Sequence, residues 1–258
     1  LVKNNLLSNS SLLYKYWIHL NKRMYNNAKY IFTLSEDMKN MLHYIKNPSK
    51  VKIAPIWTNS SFFNNIPTSK NIFLKKNNLK NKFIVSYSGN LGKTHPIEKI
   101  ILIAEFLKEI TEIQFLIIGD GEKKASLLKT QKEKNLPNLQ ILDFQPTNLF
   151  PHVLAAINIG IVTIETKSSD VSIPSKTFDL MSASKPILSI SNNDSGLANI
   201  INQYKVGQNF DDNKSVEEIS SFILDLKNNE NVYNDFSKKS YDASLKFTSK
   251  IAEKMILN

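Results

Sequence analysis

Two side chains stand out in SIPSKTFDLMSASKPILSIS, residues 172–191: Lys176, just behind a Pro-Ser step, and Asp179, the one carboxylate of the run. The stretch is apolar and helix-like, so Pro174 and Ser175 read as the mouth of a helix over 174–183, where a proline costs no hydrogen bond. A helix start offers unpaired N–H groups and roughly half a positive charge, and Lys176 adds a full one at its mouth. Asp179, one turn in, raises the question of which hydrogen-bond donors it receives.

Other stretches imitate nucleotide motifs without their spacing. SYSGNLGKT ends like a GxxxxGK(S/T) loop, and FLIIGD resembles the apolar strand and Asp that accompany one. That loop needs a glycine at 87, where this chain has Tyr87, and counting from Gly89 leaves it two residues short. GDG, residues 119–121, supplies the first half of GxGxxG, but Glu122 and two lysines follow, with no third glycine. There is no DxD for a metal-bridged diphosphate and no GxSxG elbow. His19, His43, His95 and His152 are scattered without ligand spacing, and the absence of cysteine excludes thiolate sites and disulfides. No metal and no cofactor are expected.

The net charge of +10 is local. Residues 1–80 carry thirteen Lys and Arg against Glu36 and Asp37, a net of +11, whereas the other 178 residues carry twenty Lys against twenty-one acids. Arg23 is the only arginine, which argues against sequence-specific nucleic-acid binding, because arginine is the side chain best shaped for bidentate recognition. A basic face confined to one part of the chain fits an anionic membrane surface or an anionic acceptor, and it equally fits a lysine-rich solvated surface. The longest apolar runs are far shorter than a bilayer span, so the chain reads as a soluble protein. It opens with Leu1 in polar sequence and is read as a fragment.

The elements that must position Lys176 and Asp179 follow from periodicity. Strands are expected at 83–88, 113–119, 139–144, 159–164 and 186–191, with a weaker one at VGQNF and helices between them. Near-continuous Ile, Leu, Val and Phe mark strands covered on both faces, which predicts an α/β fold with a Rossmann-like, doubly wound parallel sheet. Ligands in such sheets lie beyond the carboxyl ends of the strands, which directs attention to SGNLGKTH, GDGEK, DFQPTN, ETKSSDVSIPSK and SNNDSG. Upstream, LLYKYWIHLNKRMYNNA reads as a helix, AKYIFTLS and VKIAPIW as short strands, and Ser35 as the N-cap of SEDMKNMLHYI. The organisation expected is a partial domain over 1–57, a linker or exposed loop over 58–82, rich in Asn, Ser, Lys and Pro, and the Rossmann-like domain over 83–258.

In order, YSGNLGKTHPIEKIILIAEFLKE, FLIIGDGEKK, LQILDFQP, IPSKTFDLMSASKPIL and SGLANIINQYKVG resemble the nucleotide-sugar-binding domain of family 4 retaining glycosyltransferases with the GT-B fold, most of all the bacterial surface-polysaccharide branch. NAKYIFTLSEDMKNML and VKIAPIWTN are similar to the end of that fold's N-terminal, acceptor-binding domain. The resemblance runs from about Tyr25 to Phe210. It implies transfer of a sugar, with retention, from a nucleoside diphosphate sugar of the UDP type to a saccharide or lipid-linked acceptor, by an enzyme of which this fragment alone is inactive. Alternatives of other classes are a GT-B-fold UDP-sugar epimerase and a non-catalytic nucleotide-sugar-binding module.

Carried over by residue, the second carboxylate of the family's paired-Glu signature falls on Asp179, which would accept hydrogen bonds from the ribose hydroxyls. The first falls on Val171, so contact to the sugar by that carboxylate is absent or passes to a backbone N–H at Ser172. The family's diphosphate-holding Arg and Lys fall on Asn90 and His95, which leaves Lys176 in the PSK turn, Lys93 and the free N–H groups at the start of the 174–183 helix to compensate. Gly89, Asn90, Lys93, Gly119, Gly121, Ser172, Pro174, Ser175, Lys176 and Asp179 are thus the expected donor-binding residues, and the catalytic groups stay unassigned.

Overall fold

The computed structural model describes residues 8, 10–54, 56–58, 66–92, 95–164, 173–211 and 213–257. Contacts group the chain into two compact units, residues 1–57 with 249–258, and residues 58–248. In the first unit, helix α1 (Leu12–Asn27), strand β1 (Ile31–Thr33), helix α2 (Glu36–Asn40) and strand β2 (Val51–Ile53) follow in order. The strands pair in parallel with Ile31 opposite Val51, and these two with Ile45 form a small apolar cluster. Ser35 caps α2 as expected, its Oγ accepting the Met38 N–H at 3.2 Å.

The second unit is built on six parallel strands: β3 (Phe83–Ser88), β4 (Ile113–Ile118), β5 (Leu139–Leu142), β6 (Ile159–Thr163), β7 (Ile187–Ile190) and β8 (Gly207–Phe210). Their order is β5-β4-β3-β6-β7-β8. Helices α3 (Ile72–Lys76), α4 (Glu98–Phe106), α5 (Lys124–Glu133), α6 (Phe150–Ala156), α7 (Lys176–Ser182), α8 (Gly196–Tyr204), α9 (Val216–Asn228) and α10 (Glu230–Ser244) cover it. Every residue of β4 and β6 is buried, which is why their sequences are near-continuous apolar runs rather than alternating ones, with Gln114 and Thr163 the polar exceptions. One face carries Val85, Tyr87, Phe115, Ile117 and Ile161 against Ile100, Ile103, Ile219 and Ile223 of α4 and α9. On the other face, Gly160 lets Leu180 of α7 lie directly on β6, because a Cβ there would come within 2.4 Å of its methyl carbons. The chain reverses its direction of sheet growth between β3 and β6, so the ligand crevice of this topology opens at their carboxyl ends.

Part of the stretch expected as a linker is structured. Asn71 is buried and caps α3, its Oδ1 accepting the Phe73 and Leu74 N–H groups at 3.0 and 3.2 Å while its Nδ2 donates to the His152 carbonyl at 2.8 Å. Phe73 and Leu74 enter the core. Polar composition hid the element because the asparagine that begins it is itself an internal cap. The helix expected over 174–183 begins at Lys176. Among the described residues no helix is long and apolar enough to cross a membrane, and no cluster of acids and histidines could hold a metal.

Helix α9 begins with a capping box: Ser215 Oγ accepts the Glu218 N–H at 3.2 Å, and the Glu218 carboxylate accepts the Ser215 N–H at 3.2 Å. Ser215→Ala should destabilise the second unit by about 1 kcal/mol, read as a lower midpoint in urea at unchanged slope. An unchanged midpoint would mean that α9 is held by its buried face alone.

Candidate functional site

The crevice is assembled from the turn after β3, the turn after β4 and the first turn of α7. Gly89 adopts φ +154°, and a Cβ there would lie 2.5 Å from Lys176 Nζ, so the glycine makes room for the ammonium. The next turn packs backbone to backbone on this one: a Cβ on Gly119 would fall 1.9 Å from the Gly89 carbonyl oxygen, and one on Gly121 within 2.8 Å of Asn90 Oδ1. Hydrogen bonds staple the two together, from Gly89 N–H to Ile118 O at 2.9 Å, Leu91 N–H to Asp120 O at 2.8 Å and Lys123 N–H to Leu91 O at 3.0 Å. The buried Tyr87 hydroxyl donates to the Asn90 carbonyl at 2.8 Å, and the His95 ring meets the Thr163 carbonyl at 3.3 Å. The turn after β3 is therefore tied to β4, β6 and its own strand, which preorganises it for a ligand.

Lys176 and Asp179 both line a cavity of about 120 Å³ with Ser86, Ser88, Phe150 and Ile161. The Lys176 ammonium sits 3.9 Å from the centroid of the Tyr87 ring, a cation–π contact that holds the charge without neutralising it. Burial lowers its pKa to about 8, and no carboxylate among the described residues offsets the shift. Asp179 is pushed the other way: burial raises its pKa, opposed by the Thr58 hydroxyl, which donates to Oδ1 at 2.8 Å. Thr58 is itself held by its N–H on the Phe247 carbonyl at 3.0 Å, and Phe247 packs its ring 4.8 Å from that of Phe178 on α7. The result is a half-buried cation on an aromatic face and, lining the same cavity, a half-buried carboxylate with one oxygen open to a further donor.

Of the expected donor-binding residues, Gly89, Asn90, Gly119, Gly121, Lys176 and Asp179 gather around this crevice, with Pro174 and Ser175 leading into α7. Lys93 and Ser172, with Val171, lie outside the described residues. Thr177 and Phe178 donate their N–H groups back to Pro174 and Ser175 at 3.0 Å each, so the seven-residue α7 has few free donors and the task of meeting an anion shifts to the Lys176 side chain. Tyr87 and Thr58 were not foreseen. Tyr87 figured in the sequence only as the residue that breaks a phosphate-loop motif, and Thr58 lies 121 positions from the carboxylate it binds.

Residues 69–243 match the model of the family described as glycosyl transferases group 1. The probable glycosyltransferase WbjE of Pseudomonas aeruginosa is 25% identical over 217 residues, covering 84% of this chain and 54% of that protein. The putative colanic acid biosynthesis glycosyl transferase WcaI of Escherichia coli (strain K12) is 32% identical over 101 residues, 39% of this chain and 25% of that protein. The chain thus spans about half the length of the first of these relatives and a quarter of the second. Among solved structures, Anabaena Alr3699/HepE in complex with UDP and glucose superposes with a TM-score of 0.77 at 13% identity, over 93% of this chain and 65% of that one. WaaG, a glycosyltransferase involved in lipopolysaccharide biosynthesis, gives 0.72 at 13% identity, over 95% and 68%.

Proposed function

This chain belongs to the glycosyl transferases group 1 family, and we propose that it is the donor-binding part of a retaining, family 4 hexosyltransferase that uses a UDP-sugar in the synthesis of a cell-surface polysaccharide. The observation that carries the reading is the placement of Lys176 and Asp179 in one crevice at the switch between β3 and β6, the ammonium directly against Gly89. In this reading the diphosphate lies over the Gly89 turn with Lys176 beside it, and the ribose hydroxyls donate to the open oxygen of Asp179. The fold neighbour in complex with UDP and glucose supports UDP as the nucleotide, and the names of WbjE and WcaI support the polysaccharide setting.

Transfer with retention delivers the acceptor hydroxyl to the face of the sugar from which UDP departs. The residues of this chain then contribute positioning of the donor and stabilisation of the charge that grows on the leaving diphosphate, a task for which a preoriented, half-buried cation is well suited. No metal is assigned a part. A saccharide or lipid-linked acceptor fits the polysaccharide setting, and the excess of basic residues over 1–80 fits peripheral contact with an anionic membrane.

Calorimetric titration of the chain with UDP tests the site. Asp179→Asn should keep the fold and weaken UDP by about 1.5–3 kcal/mol, the scale of hydrogen bonds to a charged group. Equal UDP affinity in the two proteins would remove Asp179 from the ribose, and absence of UDP binding by the unsubstituted chain would remove the donor assignment altogether.

A further inference from the structure

A second cavity, of about 410 Å³, lies where α6 and the end of α7 face α10. It belongs to the amino-terminal edge of the sheet, because Lys185 leads into β7 and α6 ends shortly before β6, whereas the donor crevice opens at the carboxyl edge. Leu154 is the partition that both cavities share. The volume falls within the range of about 300–1,000 Å³ typical of small-molecule sites.

The lining is unlike that of a packing defect. Tyr233, Ser237 and Tyr241 recur every four residues and so form one stripe along α10, all of it on the cavity wall. Ser182 faces it from the last turn of α7, its hydroxyl buried without a hydrogen-bond partner. Among the described residues Lys185 is the only charged one of the wall, and none of them there is a carboxylate. Its ammonium has one partner, the Ala155 carbonyl in the last turn of α6 at 3.3 Å, which leaves two of its three donors unused. Burial lowers the pKa of this lysine to about 8, the mark of a cation held without a counter-charge. A single cation excludes a metal ion as occupant, and the hydroxyl-rich wall disfavours a purely apolar one.

We propose that this cavity is a second binding site, for an anionic monosaccharide such as a hexose phosphate or a hexuronate. Its phosphate or carboxylate pairs with Lys185, its hydroxyls meet Ser184, Asn234 and the Tyr241 hydroxyl, and the rings of Tyr233 and Tyr241 supply the amphipathic walls that a sugar ring needs. Repeated hydroxyl donors and acceptors fit a polyol better than they fit a bare inorganic anion, which would leave most of the volume empty. The inference is independent of what occupies the donor crevice.

The test is calorimetric titration of the chain with glucose 6-phosphate, glucuronate and glucose. At least one of the two anions should bind ten or more times tighter than glucose. Lys185→Gln should cost that anion tenfold or more, and Lys176→Ala, in the other crevice, should leave its affinity unchanged. Tyr241 is half exposed on the outer helix, so Tyr241→Ala keeps the fold and should weaken the anion several-fold; it decides the matter if Lys185→Gln does not fold. Binding lost in Lys176→Ala and kept in Lys185→Gln would place the ligand in the donor crevice and overturn the proposal. So would glucose binding as tightly as the anions, an anion indifferent to Tyr241→Ala, or no binding by the unsubstituted chain.

Discussion

Lys176→Ala is expected to lower the rate of the proposed glycosyl transfer in the full-length protein by about 10²–10³-fold, the effect of removing one preoriented donor from a site of developing negative charge. Nucleotide binding should fall less than the rate, because the charge on the leaving oxygen is larger in the transition state than in the bound donor. UDP should bind the variant weakly and uridine as well as it binds the unsubstituted chain, since the ammonium faces the Gly89 turn while the carboxylate is offered by Asp179. The Tyr87 ring beneath the ammonium cannot substitute for it: a buried phenol, its pKa pushed up by burial, offers a ring face and a hydroxyl already donated to Asn90. If Lys176→Ala binds UDP normally and Lys93→Ala does not, the cation is on the turn after β3.

The same lysine gives the site a pH dependence whose sign follows from its environment. Burial lowers the pKa to about 8, and an anion recognises only the protonated form. The binding-competent fraction is therefore high at pH 7 and falls as pH rises through 8, so the apparent dissociation constant of UDP should rise by about tenfold between pH 7 and pH 9. Bound diphosphate favours the charged lysine, so proton uptake should accompany binding near pH 8 and appear as a buffer-dependent heat. Lys176→Ala should flatten the profile. A profile equally steep in that variant would assign the titration elsewhere.

How much of this could be read in the residues differs between sheet and site. Strand β3 has the expected bounds of 83–88 and the other strands expected in the six-stranded sheet lie within a residue or two of theirs, because a strand buried on both faces is mostly apolar and so announces itself. Strands β1 and β2, by contrast, are three to four residues shorter at one end than their apolar text suggests. Lys176 and Asp179 stood out for a related reason, since charges in an apolar run need a partner, and the structure brings both to the wall of one cavity. Helix α3 was not, since its cap, Asn71, looks like any asparagine in a polar stretch until its partners across the fold are known. Nor could periodicity bring Thr58 to Asp179 or reveal that Tyr87 is the seat of the lysine, because both contacts join segments whose pairing exists only once the sheet has formed.

The glycines divide in the same way, and they give the largest structural effect expected. Gly119 and Gly92 both belong to the turns of the crevice, and in sequence neither is distinguishable from a flexible loop residue. A methyl group on Gly119 would stand 1.9 Å from the Gly89 carbonyl oxygen, a backbone atom that cannot swing aside because the Gly89 N–H is bonded to Ile118. A methyl on Gly92 would have the side chain of the exposed Asn90 as its nearest neighbour, at 3.3 Å. Gly119→Ala should therefore destabilise the second unit by about 3 kcal/mol, the upper part of the range for overpacking, whereas Gly92→Ala should fall within about 0.5 kcal/mol of the unsubstituted chain. Urea denaturation reads both. In whatever fraction of Gly119→Ala stays folded, the displaced Gly89 turn loses its seat against Lys176, so UDP affinity should drop as well. Equal midpoints for the two variants would show that the turns after β3 and β4 are not packed backbone to backbone, and the crevice built on that contact would fall with it.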